Sequence, residues 1–259
     1  MTIEIRPDSG EARIAYQQDH QKRLVAPPDD MWAAFAAMAE PYAVVVDGEV
    51  AGCCSVNEER ELHHFYLDPE VEDRGESIFA YLVDRLDIVS AMPSTVDPGF
   101  LSLALDDAHG SVPVALMYQH VLEPHGPALT NLRVATDADH ADAVAFAKSA
   151  IGAPEGFLVP YLAERIERAE LLLDEEGDSI RATGECRVDR THTGYAHLGL
   201  IVGSQLMNAL VADCRRRDLQ PLCSTEPTNL PARRLIHKAG FRARHRVFRV
   251  TVRAHVNDS

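Results

Sequence analysis

Between residues 195 and 241 the apolar positions change period twice. Ala196, Leu198, Leu200 and Val202 alternate with the opposite face, as in a half-buried strand. Leu206, Met207, Leu210, Val211 and Cys214 then recur at helical spacing, so the period moves from two to about 3.6 across Gly203-Ser204. Ser204 reads as the N-cap of that helix, and Arg215, Arg216 and Arg217 stand where cations favour a helix C-terminus. A second apolar run at Leu222-Cys223 leads to Asn229; Pro231 falls in the first turn of another helix and Gly240 closes it. The predicted order is strand, helix, strand, helix, strand.

The same patterning reads the rest of the chain. A strand opens at Ile3, a polar helix covers 11–24, and Asp30 caps a helix over 31–39. A hairpin turns at Asp47-Gly48, another strand covers 62–67, and a helix spans 76–86. An extended stretch follows at 88–92, a helix runs from Pro98 to Leu105, and a strand covers 112–118. The stretch Glu123-Pro-His-Gly-Pro punctuates the chain as a linker. Beyond it come a strand over 132–136, a helix to Ala150 capped by Asp137 or Asp139, a helix over 156–169, and a second hairpin turning near Gly177. The two hairpins carry similar strands, Val50-Ala-Gly-Cys and Ala182-Thr-Gly-Glu-Cys, followed by strands with His63 and His197.

Asn229, Ala232, Leu235, Lys238, Gly240 and Phe241 match the pattern Asn-x-x-Ala-x-x-Leu-Tyr-x-Lys-x-Gly-Phe, except that Ile236 replaces the tyrosine. In this the chain resembles the GCN5-related N-acetyltransferase (GNAT) family. The resemblance implies an α/β (α+β mixed-sheet) fold in two tandem acyl-CoA N-acyltransferase-like domains, 1–127 degenerate and 128–259 holding the acetyl-CoA site. Family members bind acetyl-CoA between two splayed parallel strands and pass the acetyl group to an amine.

Family members grip the pyrophosphate with a loop of the type Arg/Gln-x-x-Gly-x-Gly/Ala, because helix N-terminal amides point at phosphates and glycines allow close approach. In the first copy that stretch is 69–77, with one glycine and with Glu70, Glu72, Asp73 and Glu76 repelling an anion. This copy is expected not to bind CoA and is the weaker match. In the second copy only Gly203-Ser204-Gln205 separate Val202 from the apolar helix, too few to arch around two phosphates. Either the loop is deleted, or a segment is missing after Val202; the second explanation is favoured.

By the same resemblance, the amide of Val202 or Gly203 polarises the thioester, Asn229 holds the pantetheine arm, and Ile201, Ser204 and Arg233 complete the cofactor-binding set. His197 lies near the usual position of a basic carboxylate; as the only common side chain titrating near neutrality it is a candidate base. A hydrogen-bonded structural histidine is the competing reading. Glu185 and Glu226 are alternative bases, and Gly199 marks either a close ligand approach or a packing position. Ile236 leaves the leaving thiolate without the family's proton donor.

Charge refines this picture. Residues 1–130 carry 7 Lys+Arg against 23 Asp+Glu, and residues 131–259 carry 18 against 17. The acidic first half argues against nucleic acid and is compatible with a cationic amine acceptor, a small molecule or a peptide amino terminus, held between the halves. Five cysteines without paired metal spacing read as buried free thiols in a cytoplasmic protein, and twelve histidines form no metal-ligand cluster. No apolar run is long enough to span a membrane.

Overall fold

The computed structural model describes residues 2–106, 108–122, 132–177, 179–201 and 204–253, with backbone alone for Leu200, Ile201 and Ser204. The linker expected at 123–127, Val202 and Gly203 lie outside the described residues. The chain divides into two compact units, Met1–Leu116 with His245–Ser259, and Met117–Arg244. A single cut at residue 127 therefore does not describe the division. The last strand is assigned by its ladder, and from His245 onward its partners belong to the first unit.

That first unit contains β1 (Ile3–Pro7), α1 (Glu11–Arg23), α2 (Asp30–Met38), β2 (Glu40–Val46), β3 (Glu49–Val56), β4 (Glu61–Leu67), α3 (Gly75–Arg85), β5 (Ser90–Ala91), α4 (Pro98–Asp106) and most of β6 (Gly110–His120). Its strand order is β1-β2-β3-β4-β5, extended by the C-terminal strand, which pairs antiparallel with β5 through Val250↔Ala91. β1 to β4 are antiparallel neighbours, while β4 and β5 run parallel. Val44, Leu62, Ile78, Leu82 and Ile88 are fully buried in the core under α3. Ala12, Ala43, Cys53 and Tyr66 form a smaller cluster under α1. The α2 cap is Asp29, one residue before the expected Asp30: its carboxylate accepts from Met31 N at 3.1 Å and Trp32 N at 3.3 Å. Asp30 instead lies in the first turn, where a carboxylate also suits the helix dipole.

The second unit holds β7 (Arg133–Val134), α5 (His140–Ile151), α6 (Glu155–Glu167), β8 (Leu171–Glu176), β9 (Ser179–Val188), β10 (Tyr195–Ile201), α7 (Ser204–Arg216), β11 (Gln220–Thr225), α8 (Leu230–Lys238) and the start of β12 (Phe241–Thr251). The strands run in the order β6-β11-β10-β9-β8-β7. The apolar stripe of α7 buries Leu206, Met207, Leu210, Val211 and Cys214, each with 2% exposure or less. Truncating Leu210 to alanine is worth about 2–5 kcal/mol at such a site. On the other face α5 and α6 pack Ala143, Val144, Leu158, Leu162 and Ile166 against Leu171 and Leu173. Gly240 ends α8 at φ 93°, and a Cβ there would collide with the Leu122 carbonyl oxygen, so glycine is required on two counts. All five cysteines are buried and outside any disulfide, as their spacing suggests.

Candidate active site

β10 and β11 are parallel neighbours for three register pairs only: Tyr195↔Gln220, Ala196↔Pro221 and His197↔Leu222. On its other edge β10 stays paired with β9 as far as Ile201↔Thr183. The strands thus part beyond His197 on the β11 side, leaving the backbone of 198–201 and 223–225 without ladder partners across the fork among the described residues. A parallel pair that opens in this way exposes unpaired amides and carbonyls, which need another partner.

His197 stands at the fork. Its side chain is 6% exposed, and Nε2 lies 3.1 Å from Asp189 Oδ2. Asp189, at the end of β9, also accepts from the backbone N–H groups of Thr191 and His192, each at 2.8 Å. Burial alone would raise its pKa, but the His197 hydrogen bond and the two amide donors outweigh that and hold it at about 2. An ionised carboxylate only accepts, so the His197 Nε2 carries a proton toward Asp189. Asp189 escaped the sequence reading. Its signal is the hairpin: Asp189 N–H donates to Tyr195 O, which sets Asp189 one step from the strand end opposite His197.

Glu185 faces Gly199 across the β9–β10 ladder. Its Oε2 accepts from the Tyr161 hydroxyl at 2.6 Å and is ion-paired with Arg187 Nη1. Arg187 Nη1 in turn donates to the Tyr161 hydroxyl oxygen at 3.1 Å. Burial, and then the charge of Glu185, push the Tyr161 phenol far above its ordinary pKa. Glu185 is therefore engaged by two donors. A Cβ on Gly199 would sit 2.8 Å from Arg187 Nη1 and 3.1 Å from Glu185 Oε2, so this glycine makes room for the pair. Tyr161 and Arg187 were not legible in advance, because α6 meets β9 only in three dimensions.

The remaining expected residues are spread around the fork. Asn229 is exposed and caps α8, its Oδ1 accepting from Ala232 N at 3.1 Å. Arg233 is half-buried, with Nη1 donating to Pro227 O at 2.8 Å and Nε buried without a partner among the described residues. Glu226 is exposed beyond β11, and its Oε2 accepts from Thr228 Oγ1 at 3.4 Å. Ile201 ends β10 and Ser204 opens α7, so Ser204 is inside the helix rather than capping it. The expected missing segment is corrected: the 259-residue sequence is continuous, and Val202-Gly203 is the whole connection between β10 and α7. Ile236 is buried at 4% exposure, fully used in packing α8.

The first unit has the same fork with one residue more. β4 and β5 pair parallel only at Glu61↔Ser90 and Leu62↔Ala91. Counting from the matching glycines, Gly52↔Leu67 and Gly184↔Leu200, the partner of His64 is Ser55 just as that of His197 is Arg187. The next pair in β3–β4 is Val56↔Leu62, which skips His63 in a register shift. A bulge bends the strand and re-aims the extra side chain. His64 Nε2 meets His20 Nδ1 at 3.1 Å, and His20 Nε2 meets Asp97 Oδ2 at 2.7 Å. Asp97 caps α4 through Phe100 N at 3.2 Å, the role Asn229 has at α8. His20, Tyr66 and Asp97, with Gly75 at the start of α3, line a cavity of about 350 Å³. From β4 the chain reaches α3 through a 3₁₀ turn, Pro69–Arg74, where Glu72 is ion-paired with Arg23 and Arg74 with Asp47.

Residues 12–121 match the family model described as an acetyltransferase (GNAT) domain. That stretch is the first copy, which motifs alone rank as the poorer one. No curated protein matches the chain. Among solved structures, an acetyltransferase of the GNAT family from Colwellia psychrerythraea is similar at 28% identity and a TM-score of 0.90, over 98% of this chain and 100% of that one. A GCN5-related N-acetyltransferase from Sphaerobacter thermophilus shares the fold at 18% identity and a TM-score of 0.61, over 98% and 97% of the two chains. So does a tandem GNAT protein from the clavulanic acid biosynthesis pathway, at 14% identity and a TM-score of 0.63, over 96% and 98%.

Proposed function

We propose that this chain, which has the fold of the GNAT acetyltransferases and a GNAT domain over residues 12–121, transfers an acetyl group from acetyl-CoA to a primary amine in its second unit. The observation that carries the reading is the β10–β11 fork, whose parallel pairing stops at His197↔Leu222 with the buried Asp189–His197 pair at its apex. The amine lone pair attacks the thioester carbonyl carbon, and the amine proton passes to the His197 imidazole. The carbon–sulfur bond breaks, and the proton returns to the departing thiolate to give the amide and free CoA. Asp189 steadies the imidazolium that forms between these steps. Val202 or Gly203 supplies the amide for the carbonyl oxygen, with Ile201, Ser204, Asn229 and Arg233 along the cofactor. The acceptor is a small-molecule amine or a peptide amino terminus, and free buried thiols are in keeping with a reducing cytoplasm. In the first unit the His20–Asp97 bond joins α1 to the α4 cap, and we assign that copy a supporting role.

One feature favours a second reading. The pyrophosphate loop does not fit into Val202-Gly203, and a fork without it suits a binding or sensor protein that retains the fold. Calorimetric titration of the full-length protein with acetyl-CoA separates the two. Binding at one site per chain in the range of about 1–100 μM, with acetylation of amines in a screen, supports the enzyme; no heat at roughly millimolar cofactor removes it in favour of the sensor.

A further inference from the structure

Gly184 marks a close approach of α7 to β9: a Cβ there would lie 3.0 Å from Leu210 Cδ1 and 3.1 Å from Leu206 Cδ1. Two residues further along β9 the same face presents Cys186, and one turn further along α7 the same stripe presents Cys214. Two strand residues and four helix residues each advance by about 6–7 Å, so this second pair meets as the first does. The two sulfurs lie 3.5 Å apart, both in buried residues.

Arg217, just beyond the end of α7, covers the pair. Its Nη1 donates to Cys186 Sγ at 3.5 Å and to Asp213 Oδ2 at 3.3 Å. The Arg217 side chain is 43% exposed, so one guanidinium links a buried sulfur to solvent. The Cys214 hydrogen bond, and then the Arg217 charge, draw the Cys186 thiol below its ordinary pKa against its burial. The same bond helps to keep the hydrogen on Cys214, whose S–H therefore donates. In the first unit Cys54 follows Gly52 as Cys186 follows Gly184, and there burial pushes the thiol up instead. A thiol favoured as thiolate by a cation, with a second sulfur in contact, has the features of a redox-responsive pair.

We propose that Cys186 and Cys214 are a modification site, a dithiol that a hydroperoxide oxidises to a reversible disulfide tying β9 to α7. The Cys186 thiolate attacks one oxygen of hydrogen peroxide; the sulfur–oxygen bond forms and the oxygen–oxygen bond breaks. The departing hydroxide takes the proton that the thiol gave up and leaves as water. Cys214 Sγ then attacks Cys186 Sγ, and the hydroxyl leaves with the Cys214 proton as a second water. Two thiols together lose two electrons, and one peroxide is reduced to two waters. The sulfurs approach by about 1.5 Å to make the bond. A disulfide of this transient kind suits a reducing compartment. The site is independent of the acetyl-transfer reading, because neither sulfur takes part in it.

Full-length folded protein is treated with hydrogen peroxide at about 0.1–1 mM, then denatured while N-ethylmaleimide blocks the remaining thiols. Mass spectrometry of the unreduced digest reads the outcome. The expected result is one cross-linked peptide pair joining Cys186 to Cys214, with Cys53, Cys54 and Cys223 alkylated; dithiothreitol before blocking returns both thiols. In Cys214→Ser the reaction stops at the Cys186 sulfenic acid, which dimedone traps, whereas Cys186→Ser gives Cys214 a dimedone yield about tenfold lower or less. Alkylation of all five cysteines after peroxide overturns the proposal, as does a cross-link that forms only once the protein is unfolded in urea. Equal dimedone yields from the two variants overturn the assignment of Cys186 as the attacking sulfur.

Discussion

β4 and β10 occupy the same place in their two units and differ by one residue. In β10 a single histidine, His197, closes the parallel pairing and is held by Asp189 from its own hairpin. In β4 the bulge places two histidines there. His64 faces α1 and bonds His20, while His63 joins Asn57 and Trp32 at a separate cavity. Tyr66 stands at the register position of Gly199, and Cys53 at that of Glu185. A one-residue slip in a strand exchanges its faces, and a bulge confines that exchange to a short stretch. One extra residue thus separates the Asp189-bonded His197 of β10 from the buried His64–His20–Asp97 chain of β4 without altering the strand order.

The largest test of this asymmetry is His197→Gln. Under the acetyl-transfer reading it lowers kcat/KM by about 10²–10⁴, whereas His64→Gln, assayed where it remains folded, stays within about twofold. Equal losses would break the comparison.

Acid sharpens it next. Burial, with the charges of His20 and Arg13, pushes His64 down to about 3. The unfolded chain takes up that proton near pH 6.5 and the folded one does not, so stability falls as pH drops below about 6.5, by about 2.5 kcal/mol at pH 4.5. His63, also lowered by burial, adds in the same direction. Urea unfolding read by Trp32, which reports the first unit, should show a falling midpoint between pH 7 and 4.5, and His64→Gln should flatten it.

The second unit responds at lower pH. Asp189, held at about 2, contributes stability above the ordinary carboxylate range that disappears as pH falls from about 4 through 2. Asp189→Asn should cost on the order of 1 kcal/mol at pH 7 after solvent screening, and remove that acid-dependent part of the loss. A pH-independent deficit would show that Asp189 acts by packing alone. The smallest effect is expected at Gly199→Ala. The ends of Arg187 and Glu185 can retreat from the new methyl, so thermal unfolding should register no more than about 1 kcal/mol. A larger loss would mean that the Glu185–Arg187–Tyr161 cluster is rigid.

Much of this was legible in the residues. The change of period across Gly203-Ser204 located β10 and α7, and the Asn229-to-Phe241 spacing located α8 and its glycine stop. The Gly52 and Gly184 strands are the matching middle strands of the two hairpins. His197 was found as a strand histidine, but Asp189 was not, because pairing them requires the hairpin register. Glu185 was legible as an alternative base but its partners were not, since the α6 tyrosine that engages it is distant in sequence. The cap was expected at Asp30 and stands at Asp29, because neighbouring carboxylates have equal cap propensity until the helix start is known.

Sequence by itself determined the periodicities, most of the turns and the doubled order of elements. These are local properties, each set within a few residues by backbone sterics and side-chain pattern. Tertiary structure alone decided where β10 and β11 part, which strand holds a bulge, which unit receives residues 245–253, and which buried donors are left unpaired. Those depend on register and on packing between segments far apart in the chain, where a shift of one residue changes every neighbour while leaving the local pattern intact.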